Sequence, residues 1–168
     1  MLKLIIGNKA YSSWSLRGWL AVKQSGLPFE EITVPMFDAD WDKRTEGDEF
    51  APSGGKVPIL WDDKTVIWDS LAIVEWLADK TDRARYWPTE DAARGMARSM
   101  AAEMHSSYPN LRRECGMNVR KHFPAGRISN EVGTRACMPP FRLLKFFWRL
   151  RTWSISVWWC QPSEKRAR

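Results

Sequence analysis

Apolar and polar positions fall in blocks whose spacing changes several times along the chain. Leu2–Ile6 is a short apolar run ended by Gly7 and Asn8, the pattern of a strand entering a turn. After a serine-rich stretch, Leu16, Trp19, Leu20 and Lys23 recur at helical spacing until Gly26 and Pro28, the usual order at a helix end. Phe29–Val34 reads as a second strand, and a β-α-β unit places its two strands parallel. Residues 35–55 hold Pro35, Trp41, Asp48, Pro52, Gly54 and Gly55 without a sustained period, which predicts a loop carrying one short helix. Val57–Trp61 and Thr65–Trp68 flank Asp62-Asp63-Lys64 as a hairpin. Asp69-Ser70 then supplies an N-cap before Leu71, Val74, Leu77 and Ala78.

The order β-α-β-β-β-α is complete by residue 80. Residues 81–90 form a polar linker ending near Trp87-Pro88. From Asp91 to about Leu111, Met96, Met100 and Met104 stand four apart and predict a long helix. That helix opens a partial all-α domain over 91–131, and a methionine stripe at this spacing is read as core or subunit packing. Residues 132–168 depart from everything before them. There is no internal repeat.

Charge sharpens that division. The 168-residue chain carries a formal +6, which alone would raise nucleic acid or an anionic membrane as a partner. Residues 127–168, however, hold nine of the 26 basic residues against Glu131 and Glu164, so the preceding part is close to neutral. No nucleic-acid partner is expected. Cys115, Cys137 and Cys160 are far apart and form no metal-ligand spacing, so neither a disulfide scaffold nor a metal site is expected. The N-terminal apolar stretch is too short for a signal-peptide core, and arginines interrupt the aromatic tail before it reaches the ~18 apolar residues of a membrane span. The expectation is a soluble cytoplasmic protein.

Three features carry candidate chemistry. Tyr11-Ser12-Ser13-Trp14-Ser15-Leu16-Arg17 lies where the first strand passes into the first helix. Helix-start N–H groups and the helix dipole favour an anion there, including a thiolate. A serine hydroxyl at that point can donate to a bound sulfur and lower its pKa; simple helix capping is the other reading of these serines. Lys56-Val57-Pro58, preceded by Gly54 and Gly55, places a proline at the mouth of a strand. That position fits a cis peptide bond, or a missing donor that faces a ligand, and leaves Val57 able to pair with an extended peptide; an edge-strand proline without a ligand is the alternative. Asp69 and Ser70 open the last helix, where a hydroxyl and first-turn N–H groups can hold a carboxylate and Asp69 an ammonium; a plain N-cap is again the alternative.

The element order resembles the thioredoxin fold, whose redox members carry C-x-x-C where this chain has Ser12-Ser13-Trp14-Ser15. Such a protein can activate a thiol but cannot cycle through a dithiol. Together the three features resemble the soluble glutathione-transferase superfamily, from Leu2 to about Asn130. Tyr-Ser-Ser-Trp-Ser-Leu-Arg is similar to the S-S-x-S-x-R signature of its serine-type, zeta-like group, which includes maleylacetoacetate isomerases. The resemblance implies glutathione as co-substrate, no metal, and a homodimer if the helical domain is intact. It implies Ser12 or Ser13 as the thiol-activating residue, with Ser12 matching the first serine of the signature. It also implies Ser15, Lys56, Val57, a cis Pro58, Asp69 and Ser70 along the tripeptide, with Asp69 and Ser70 at its γ-glutamyl head. Trp14 and His105 fall on the second-substrate side, His105 as a base or substrate contact or as a capped, solvent-facing residue.

The family pattern requires further helices after residue 130. The chain instead turns to Met138-Pro139-Pro140, a run rich in Arg, Trp and Phe, and Trp158-Trp159-Cys160, the composition of a truncated or frameshifted C-terminal domain. A cationic helix around Arg142, Lys145 and Arg149 lying on a membrane is the less favoured reading. The expected function is addition of the glutathione thiol to a small electrophile, or glutathione-dependent isomerisation. The alternative is a non-catalytic glutathione-transferase-fold binding module or an inactive fragment.

Overall fold

The computed structural model describes residues 1–120 and 122. The first unit comprises Met1–Ser107 with Met117–Arg120 and is built on a four-stranded sheet. Its strands are β1 (Leu2–Ile6), β2 (Phe29–Thr33), β3 (Ile59–Asp62) and β4 (Thr65–Trp68), in spatial order β2-β1-β3-β4. β1 and β2 run parallel, joined by helix α1 (Ser13–Ser25), whereas β3 is antiparallel to both β1 and β4. Helix α3 (Ser70–Lys80) follows β4 directly. The β-α-β-β-β-α order is that of a thioredoxin-like domain, as the sequence predicts.

β1 reads as an unbroken apolar run because both sheet faces are covered. Leu2, Leu4 and Ile6 point to the face packed by α1 and α3, where Val22, Ile73 and Leu77 are fully buried. Ile5 points the other way, to Ile59, Val34 and Phe50. Burying one such side chain contributes about 1.5–3 kcal/mol, more than the roughly 1 kcal/mol of a helix cap. The sheet and its two helices therefore hold the layer, and the caps aim its edges.

The segment between β2 and β3 contains the short helix α2 (Trp41–Thr45) and a 3₁₀ turn at Ala51–Ser53. Arg44 clamps its first half, bonding Asp38 through both terminal nitrogens and the Pro35 carbonyl at 2.9 Å. β3 begins at Ile59 rather than at Val57, because the Val57–Pro58 peptide bond is cis and the chain joins the ladder only after it. The 3₁₀ turn ends on Gly54 and Gly55, both with positive φ (61° and 75°). A side chain at either position would be strained, and at Gly55 it would also strike Thr45.

Helix α4 (Asp91–Ser106) starts on Glu90, whose carboxylate accepts from the N–H groups of Ala92 and Ala93. It is tied to α3 by Arg98 and Glu75, 2.8 Å apart. The methionine stripe does not form a core: α4 has no buried residue, and Met104 is 40% exposed. The helix also stops short of the predicted Leu111. Pro109 disfavours a helical residue before it, and Tyr108 takes φ 65°. A separate helix α5 (Pro109–Glu114) begins at the proline.

Among the described residues, Tyr108–Gly116 and His122 belong to the second unit. Within it Arg112 N–H bonds the Tyr108 carbonyl at 3.0 Å and Cys115 N–H the Leu111 carbonyl at 2.8 Å. Val119, in the segment returning to the first unit, donates its N–H to the Ala10 carbonyl at 2.9 Å and pins the loop before α1. His122 is exposed. The expectations for 132–168, and for the end of the helical domain from 123, lie outside the described residues.

Candidate functional site

A cleft of about 690 Å³ opens at the sheet edge where α1 and α3 begin. Its lining brings together Ser12, Lys56, Val57, Pro58, Asp69 and Ser70, six of the residues that the sequence singles out from three distant stretches. Trp14 joins them.

Ser12 is the N-cap of α1, 8% exposed and in an extended conformation. Its Oγ accepts the Ser15 N–H at 3.3 Å and donates to Ser15 Oγ at 2.9 Å. Ser15 Oγ in turn accepts the Gly7 N–H at 2.9 Å. Ser15 is wholly buried and is absent from the cleft lining, so its hydroxyl backs Ser12 rather than facing a ligand. Ser13 is half-buried and also off the lining. Of the two neighbouring serines, only Ser12 faces the cleft. Sequence spacing leaves them equivalent; the cap geometry separates them.

On the cleft lining, Val57 has no backbone hydrogen-bond partner among the described residues. A half-buried N–H and C=O left unpaired is costly without a partner and fits an extended peptide laid alongside. The Lys56 N–H bonds Ser53 Oγ at 3.0 Å, and Ser53 donates to the Phe50 carbonyl, which fixes the approach to Val57. From behind, Gly18 of α1 packs so closely that a Cβ there would lie 2.6 Å from Pro58 Cβ.

Also on the lining, Asp69 caps α3 with φ 75° and ψ 132°. For a residue with a side chain this conformation costs on the order of 1–3 kcal/mol and marks functional positions. Its Oδ1 accepts the Leu71 N–H at 2.9 Å, and its Oδ2 lies 3.0 Å from His105 Nε2. Ser70 is buried beside it. His105 is not on the cleft lining; it reaches the site through Asp69 and through an edge-on contact with Trp14, ring centroids 5.1 Å apart.

The sequence missed one wall. Met36, Phe37, Trp41 and Trp68 also line the cleft, with Phe37 77% and Trp68 46% exposed. For Met36, Phe37 and Trp41 the available signal is apolar residues in a stretch without secondary-structure period; Trp68 ends a predicted strand. Arg44 beside Asp38 holds that carboxyl below the usual aspartate range, so the clamp under Phe37 is an ion pair at neutral pH.

The cleft lining thus combines two helix starts, an unpaired peptide edge and a carboxylate. That combination suits a short peptide that carries a thiol and an amino-acid head group.

Comparison with known proteins agrees with this chemistry. Residues 11–80 match the family model of the glutathione S-transferase N-terminal domain. Over 61 residues the chain is 34% identical to dichloromethane dehalogenase of Methylorubrum extorquens, covering 36% of this chain and 21% of that protein. A Burkholderia glutathione transferase homologue solved with bound glutathione is 25% identical, with a TM-score of 0.52 over 66% of this chain and 56% of its own. Human glutathione S-transferase T1-1, solved in its apo form, is 28% identical, with a TM-score of 0.51 over 68% of this chain and 46% of its own. The chain thus spans about a fifth of the dehalogenase and about half of each of these solved structures. Residues 11–80, which supply most of the cleft lining, are thus similar to the N-terminal domain of glutathione S-transferases.

Proposed function

We propose that the chain binds glutathione in the cleft and activates its thiol for addition to a small electrophile. The observation that carries this reading is the convergence of Ser12, Val57 and Asp69 on one cleft. The Burkholderia homologue with bound glutathione supports the choice of ligand.

In this reading Asp69 takes the γ-glutamyl ammonium, and Ser70 with the first N–H groups of α3 takes its carboxylate. Val57 pairs with the cysteinyl backbone, and Lys56 stands at the glycyl end. The Ser12 hydroxyl has one proton, now directed at Ser15 Oγ. Turning that proton toward a sulfur stabilises the thiolate, whose ordinary pKa of about 8.5 falls near a helix N-terminus. Ser15 then donates its own proton to Ser12 Oγ while still accepting the Gly7 N–H. The backing bond is kept through the switch.

The electrophile approaches from the side of Trp14, and the aromatic wall of Phe37, Trp41 and Trp68 adds apolar surface. Halogenated carbon is one candidate class, consistent with the dehalogenase relative. An activated double bond is the other, through which addition and elimination of the thiolate would permit isomerisation of the zeta-like type. A cytoplasmic homodimer is the form proposed for this activity. Retention of the full chain on immobilised glutathione, together with turnover of 1-chloro-2,4-dinitrobenzene, is the expected result. Failure to bind glutathione refutes the reading, and binding without turnover reduces it to a binding module.

A further inference from the structure

We propose that His105 is a positioning residue for the Asp69 carboxylate, and that through it helix α4 sets the strength of the ammonium subsite. The inference rests on the reading of Asp69 as the group that takes the γ-glutamyl ammonium.

An ionised carboxylate offers about four acceptor positions. One on Oδ1 is filled from within the chain by Leu71 N–H, and Oδ2 stands 3.0 Å from His105 Nε2. The remaining positions belong to the oxygens of a residue that lines the cleft. A single donor from Leu71 would leave the carboxylate free to rotate about its Cβ–Cγ bond. A ring nitrogen of a different helix, 3.0 Å from the other oxygen, fixes the plane.

His105 is itself held. Its ring meets Trp14 edge-on at 77°, and the Arg17 guanidinium lies 4.5 Å from the Trp14 ring centroid on α1. The contacts therefore run from α1 through α4 to the start of α3, joining Trp14 to Asp69. His105 acts behind Asp69, because it is off the lining and its side chain is 24% exposed. The sequence places His105 on the substrate side; in this proposal it serves the head-group end instead.

Isothermal titration of the full chain tests this with glutathione and with its deamino analogue, which lacks the γ-glutamyl amino group. Wild type is expected to bind glutathione more tightly. In His105→Ala glutathione affinity should fall about tenfold, the scale of a hydrogen bond to a charged group, with the analogue's affinity unchanged. His105→Gln, whose amide can donate to Asp69, should recover most of the difference. Equal losses for both ligands, or no loss for glutathione, overturn the inference while leaving the ammonium subsite standing. Wild type binding both ligands equally refutes the subsite, and the inference falls with it. The ¹⁵N shifts of the wild-type imidazole give a readout that depends on no variant folding: Nε2 must carry a proton, and a bare Nε2 overturns the proposal.

Discussion

Helices α1 and α3 both begin at the cleft on a small polar residue, yet the two starts are built in opposite ways. Ser12 is buried, sits in ordinary extended backbone and spends its hydroxyl on the helix it caps. Asp69 is partly exposed, sits at positive φ, accepts an N–H of its own helix and lies 3.0 Å from His105 of α4. The first is a neutral donor whose proton can be redirected at small cost. The second is a fixed negative charge in a conformation that its surroundings must enforce. A thiolate and an ammonium require these opposite properties, so one cleft can orient a ligand that carries both.

The comparison breaks most visibly at Ser12. Ser12→Ala removes the redirectable proton, and turnover of 1-chloro-2,4-dinitrobenzene is expected to drop about a hundredfold, as for loss of one preorganised donor. Ser13→Ala should leave turnover near that of wild type. Initial rates at saturating glutathione decide it; equal losses in the two variants would erase the distinction between the serines.

The distance between the two starts depends on close packing behind them. Gly18→Ala forces a methyl against Pro58 and to about the contact limit of Ile73 Cδ1 on α3, so α1 must move. A destabilisation of about 1–3 kcal/mol is expected, read as a lower urea midpoint with an unchanged slope. Glutathione affinity should fall with it, because Val57 and Pro58 move together.

The smallest effect concerns the aromatic wall between the two starts. The Arg44 hydrogen bond lowers the Asp38 pKa in the folded chain, so the pair's contribution is fully present above the ordinary aspartate value. It is lost as pH falls through the depressed folded value. Amide exchange at residues 36–41 should accelerate over that window in wild type, whereas Asp38→Asn should show fast exchange already at neutral pH. An Asp38→Asn variant matching wild type would show that the clamp does not hold Phe37.

Much of the site was legible because its parts are local. A cap is a side chain bonding an N–H two or three residues on, and Ser12 and Asp69 announce themselves by preceding periodic apolar runs. Pro58 marks the strand entrance for the same reason. The pre-proline restriction at Tyr108 was equally local, but the methionine stripe of α4 obscured it.

The sequence by itself determined the β-α-β-β-β-α layer, the two caps and the proline between them, since each follows from spacing or from chemistry within a few residues. Only the tertiary structure decided that Ser12 faces the cleft while Ser15 is buried behind it, that Phe37 and Trp68 wall the cleft, and that His105 reaches Asp69 from α4. Those outcomes depend on how helices and loops far apart in the chain settle on the sheet. Side-chain period carries no information about which remote donor will meet which acceptor.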